Sequence, residues 1–138
     1  MIRIYTFTYD GDAQEAVACV RCARTALPEA VVTVVDDSAA PVPPGARRAL
    51  VAYGARYRQS SFPRCGNLRG PECVRGIIAT LSKGAEDGDT IVKIDSDTAL
   101  LSGGWVRDMQ HNGLALRASG YRVPPNPSER SAYGNCYA

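Results

Sequence analysis

Residues 90–97 read TIVKIDSD: a short, largely β-branched run from Thr90 to Ile94 that stops abruptly at Asp95-Ser96-Asp97. Such a run suits a strand buried within a parallel sheet. The preceding residues fit that reading. Glu86-Asp87-Gly88-Asp89 is a turn, and Glu72 to Lys83 is a helix with Val74, Ile77, Ile78 and Leu81 at i, i+3, i+4 and i+7, closed by Gly84. Helix, turn, strand and acids in that order form the second half of a β-α-β unit.

The N-terminus repeats the pattern. Ile2 to Thr8 is β-branched and aromatic, and Tyr9-Asp10-Gly11 breaks it. Asp12, with Glu15 three residues on, is expected to cap a helix as a capping box. Ala13, Ala16, Val17, Val20, Ala23 and Leu27 mark its apolar face, and Pro28 ends it. Val31 to Val35 is a second buried strand, closed by Asp36-Asp37-Ser38. Between the two halves we expect a short helix over Arg47 to Tyr53, a short strand over Ala55 to Gln59 and a loop from Ser60 to Pro71. After Gly103-Gly104 a helix from Trp105 to Gln110 leads to a proline-rich loop, Val123 to Pro127. The expected fold is α/β: one three-layer α/β/α domain over residues 1–138 with a mostly parallel, Rossmann-like sheet.

In open sheets of this kind the ligand site lies beyond the carboxyl ends of the strands. Three strands finish there in polar clusters: Thr8-Tyr9-Asp10, Asp36-Asp37-Ser38 and Asp95-Ser96-Asp97. Each alone is ordinary, because aspartate is a common turn residue; together they point to a site. Asp95 and Asp97 are hard oxygen ligands held close behind a strand. Mg²⁺ or Mn²⁺ characteristically takes one or two carboxylates together with phosphate oxygens and water.

The order of IRIYTFTYD, a helix, VVTVVDDS, a basic segment and NLRGPECVRGIIATLSKGAEDGDTIVKIDSDTALL resembles the N-terminal half of GT-A glycosyltransferases, nearest the family 2 type. The likeness covers about residues 2–105. It implies a nucleoside-diphosphate sugar donor, with Thr8 and Tyr9 against the base or ribose and Asp36 or Asp37 on the base. Asp95 would face the ribose or the metal, and Asp97 would be the principal metal ligand. Asn67-Leu68-Arg69-Gly70 matches an Asn-x-x-Gly of the family, and Arg69 could assist at the diphosphate. The implied reaction is metal-dependent transfer of a hexose-type sugar to an unidentified sugar, lipid or protein hydroxyl. Gly76 departs from the family, which often has asparagine there. The last residues, Tyr133 to Ala138, read like the start of a strand, so the acceptor half is expected to be missing or reduced. No catalytic base is assigned, because neither Asp108 nor Glu129 has a positional argument.

Two other readings stand beside this one. The first is a nucleotide- or metal-binding module without turnover. The second is nucleic-acid binding through Arg47 to Arg75, where seven arginines face the single acid Glu72. That segment lacks the aromatic platform usual for single strands, and no helix-turn-helix is evident, so nucleic acid is the weaker alternative. Of the five cysteines, Cys19 and Cys22 lie inside a helix rather than at its start, which favours packing over redox use. His111 and Trp105 are expected to pack rather than to bind. Composition is that of an ordinary globular domain, 45% hydrophobic and 22% charged. No apolar run approaches the roughly 20 residues of a membrane span, and the N-terminus lacks a signal-peptide layout, so a cytoplasmic protein is expected.

Overall fold

A computed structural model describes residues 1–62, 71–83 and 85–112. The chain divides into two compact units, Met1–Gly103 and Gly104–Ala138. The first holds β1 (Ile2–Thr8), a 3₁₀ turn (Asp10–Asp12), α1 (Ala13–Ala26), β2 (Val31–Asp36), α2 (Pro44–Ala52), β3 (Arg56–Gln59), α3 (Pro71–Ser82) and β4 (Thr90–Asp95). Within the second, α4 runs from Gly104 to Asn112. Among the described residues the sheet is four-stranded, all parallel, in the order β3-β2-β1-β4.

Register fixes the two faces. Ile4, Val32 and Val92 stand in one row, and Thr6, Val34, Tyr57 and Ile94 in the next. Side chains alternate along each strand, so these residues share one face. Helices α1 and α2 cover it. Cys19 reaches Thr6 there, and Val42, Ala13 and Ala46 form a cluster with Val17 and Tyr57 packed against it. Ile4, Val20, Leu27, Val34, Val42 and Leu50 have no exposed surface. Burying each contributes about 1.5–3 kcal/mol, so this layer is the main source of stability.

The opposite face carries Arg3, Tyr5 and Phe7 beside Thr33, Val35, Arg56 and Arg58. Phe62 packs on Phe7 with ring centroids 6.2 Å apart. A Cβ at Gly76 of α3 would strike the Phe62 ring. The helix thus leaves the phenylalanine a groove that a larger residue at position 76 would close. The expected α/β/α layering is therefore present.

Two details differ from expectation. Helix α2 begins at Pro44, earlier than Arg47, because proline's fixed φ and missing N–H suit a first helical turn. Gly54, at φ 81°, then turns the chain into β3. Strand β4 is not buried on both faces: Val92 and Ile94 are, whereas Lys93 and Asp95 are exposed. Among the described residues β4 pairs only with β1, and an edge strand is covered less than a central one. No helix of the described residues is long and apolar enough to cross a membrane.

Candidate functional site at the carboxyl edge of the sheet

Because β1, β2 and β4 are parallel, their C-terminal residues emerge on one edge. Backbone bonds continue past the strands and tie these ends together. The Asp37 amide donates to the Thr8 carbonyl at 2.9 Å, and the Ser60 amide to the Asp36 carbonyl at 2.7 Å. The Thr98 amide donates to the Asp95 carbonyl at 3.0 Å, closing a turn over Ser96 and Asp97. All three clusters singled out from the sequence are thus brought to one edge, while Asn67, Arg69 and Gly70 lie outside the described residues.

Asp12 joins the first and third clusters. Its Oδ1 accepts from Thr8 Oγ1 at 2.7 Å and from the Tyr9 amide at 2.8 Å, and its Oδ2 accepts from Ser96 Oγ. This corrects the expected capping box: Asp12 stands at the N-cap position of α1, but its side chain makes no capping bond. Donors from two strand ends converge on the carboxylate, and charge-assisted bonds to them compete well with a single orphan helix amide. Ser96 is buried by this bond, whereas its neighbours Asp95 and Asp97 are exposed.

Those two carboxylates differ. Asp95 pairs with Lys93 Nζ, and two-thirds of its side chain (66%) is exposed. Asp97 makes no hydrogen bond or ion pair with the described residues. Among the described residues no three His, Cys, Asp or Glu side chains gather into a metal cage. The donor set fits a Mg²⁺- or Mn²⁺-type ion that takes one or two carboxylates and completes its shell with phosphate oxygens and water. It does not fit a closed structural zinc site.

Asp36 has a different character. It has no exposed surface, and both of its oxygens are engaged. Oδ1 accepts from the Ser38 amide at 3.0 Å and from Ser38 Oγ; Oδ2 accepts from the Val42 amide at 2.7 Å and from the Tyr57 hydroxyl. Burial alone would raise its pKa, but the hydrogen bonds from Ser38, Tyr57 and Val42 outweigh it and hold the carboxyl below its usual value. The same burial, with the bond to Asp36, pushes the Tyr57 hydroxyl up to about 12. Arg47 stacks over the Tyr57 ring, 5.9 Å from its centroid. Asp36 thereby shapes the connector from β2 to α2. Asp37, next in the chain, is 6% exposed and is the second acid at this strand end.

Cys19 is a buried free thiol beneath the site, with Sγ 3.6 Å from the Asp95 carbonyl. Burial raises its pKa to about 11, so it is protonated at neutral pH and packs as a small apolar group. Cys22 and Cys73 are also free thiols.

No family model and no curated protein matches the chain. Solved structures that resemble it include two of LgtC. One is an active-site mutant of LgtC, at 19% identity and a TM-score of 0.47, covering 72% of this chain and 39% of that one. The other is the galactosyltransferase LgtC in complex with donor and acceptor sugar analogs, at 20% identity and a TM-score of 0.44, covering 69% and 37%. The chain therefore spans less than two-fifths of the LgtC chain.

Asp12 and Tyr57 are the residues that sequence reasoning missed at this edge. Asp12 stands 84 residues from Ser96, and Tyr57 stands 21 from Asp36. No local pattern encodes either pairing. The one available hint was a second acid in Asp10-Gly11-Asp12, more than a single turn or cap requires.

Proposed function

We propose that this chain binds a nucleoside-diphosphate sugar with Mn²⁺ or Mg²⁺ at the carboxyl edge of its sheet and transfers the sugar to a hydroxyl acceptor. The observation that carries this reading is the convergence of three parallel strand ends on one edge, with Asp97 exposed and unpaired among the described residues beside Asp95. Asp97 is the principal metal ligand. Asp95 joins it by giving up its pair with Lys93, an exchange made easy by its exposure. When bound, the ion neutralises charge on a departing diphosphate. Tyr9 lines the nucleoside side with Asp37 at the base, while Thr8 and Asp36, which have no exposed surface, contribute by holding their loops, and Arg69 assists at the diphosphate. The resemblance of residues 2–105 to GT-A glycosyltransferases supports the same assignment.

Calorimetry with UDP and Mn²⁺ tests the binding step. The expected result is metal-dependent affinity that Asp97→Ala lowers by about tenfold or more, the loss of roughly 1.4 kcal/mol. Absence of metal-dependent affinity for any nucleotide overturns the reading. Turnover of a labelled sugar nucleotide tests the transfer step. Binding without turnover would identify the chain as a nucleotide-binding module instead.

A further inference from the structure

A second polar site lies away from the carboxyl edge, on the sheet face opposite α1 and α2. A pocket of about 210 Å³ is lined there by Arg3, Tyr5, Val31, Thr33, Arg56, Arg58 and Lys83. Four cations from three separate parts of the chain meet in it: β1, the edge strand β3 and the residue after α3. The register explains how. Arg3 stands beside Val31; Tyr5, Thr33 and Arg56 form the next row; Arg58 follows one row on, beside Val35. Adjacent strands are about 4.8 Å apart and the rise is about 3.3 Å per residue, so Arg3 and Arg56, two strands and two residues apart, start roughly 12 Å from each other across the sheet. Two arginine side chains can close that span around one small anion.

Among the described residues acids offset the charge of Arg3 alone in this pocket. Asp89 is bonded to Arg3, with Nε to Oδ2 at 2.6 Å, and it is shared with the Met1 amine at 2.9 Å. No acid pairs with Arg56, Arg58 or Lys83 among the described residues. The Asp89 bond takes one of the five donors of Arg3 and fixes the base of its guanidinium, leaving the terminal N–H groups free to donate. Tyr5 and Thr33, which also line the pocket, carry hydroxyls able to donate. Planar arginine forks joined by hydroxyls match phosphoryl oxygens. The volume sets the size of the ligand. It falls below the roughly 300–1,000 Å³ of drug- and cofactor-sized sites, so a whole nucleotide sugar does not fit.

We infer that the pocket formed by Arg3, Arg56, Arg58 and Lys83 is a binding site for a small phosphoryl oxyanion, inorganic phosphate or pyrophosphate, separate from the metal-and-nucleotide edge. The site is independent of the proposed transferase reading: its cations line one face of the sheet, from Arg3 near the strand starts to Arg58 one row short of the carboxyl edge, and it requires no metal.

The experiment is calorimetric titration of the full chain with inorganic phosphate and with pyrophosphate, in EDTA and at matched ionic strength. Saturable binding is expected. Tighter binding of pyrophosphate marks a diphosphate site, and equal or tighter binding of phosphate marks a monophosphate site. The double variant Arg56→Ala/Arg58→Ala should bind about tenfold more weakly or worse, since each charge-assisted bond lost is comparable to the 1.4 kcal/mol of a tenfold change. Both residues project from an edge strand, one exposed and one half-buried, so the fold should survive, as circular dichroism will show. Lys83→Ala, on a different segment, supplies a second variant and should weaken binding in the same direction. Asp97→Ala should leave this affinity unchanged. The inference is overturned if neither anion binds saturably at millimolar concentration, if the arginine and lysine variants bind as wild type does, or if Asp97→Ala abolishes the binding.

Discussion

At the scale of single residues, Asp36 shows how a buried charge is tolerated: four donors replace the water it has lost. Removing the carboxylate as Asp36→Ala leaves the Val42 amide and the Tyr57 hydroxyl without their acceptor. We expect a loss of about 3 kcal/mol at pH 7, measured by urea unfolding. The loss should depend on pH, with a sign set by the lowered pKa. Unfolded aspartate titrates near 3.9 (approximately), and the folded value lies below it. The folded state therefore binds fewer protons in that window. Wild-type stability from this group is complete above the unfolded pKa and drains away as pH falls through the folded one. The gap between wild type and variant should accordingly narrow from pH 7 towards about pH 3. A gap that stays constant with pH would mean that folding leaves the Asp36 pKa unchanged, and a gap that widens on acidification would mean that the carboxyl is protonated in the fold.

At the scale of elements, most of the pattern read from the sequence is present because strand and helix periodicities encode which face is buried. Strand β1 runs over the expected residues, and α1 ends at Ala26, just before Leu27 and Pro28, as proline requires. What periodicity does not encode is how closely two elements approach. Gly103, just after the β4 segment, is an example. It is buried, and a Cβ placed there would meet the Leu27 side chain and lie 2.6 Å from the Ala26 carbonyl oxygen. The obstacle includes backbone at the end of α1, which cannot rotate away. Gly103→Ala should therefore cost about 1–3 kcal/mol in chemical unfolding, the usual range for overpacking. The exposed turn glycine Gly88 makes a useful contrast, since nothing surrounds its Cβ position and only its φ of 86° opposes alanine.

At the scale of the whole sheet, the carboxyl edge behaves as one structure because side chains bridge distant segments. Asp12 holds Thr8, the Tyr9 amide and Ser96 at once. Asp12→Ala and Ser96→Ala are therefore not independent. A double-mutant cycle in urea should give a coupling energy of about 1 kcal/mol or more; additive losses would show that the two residues do not share a bond. The amino-acid sequence by itself determined the alternation of strands and helices, the parallel α/β class and the three polar strand ends, because these follow from local propensity and hydrophobic spacing. It also presented Asp95 and Asp97 as a pair, since they are neighbours in the chain. Only the tertiary structure decided that Asp12 braces the Asp95-Ser96-Asp97 turn instead of capping α1, and that Asp36 serves its own loop. It alone gathered Arg3, Arg56, Arg58 and Lys83 into one pocket. The physical reason is common to all three: each depends on strand register and on hydrogen bonds or charges between residues about 20 to 85 positions apart, which no local pattern specifies.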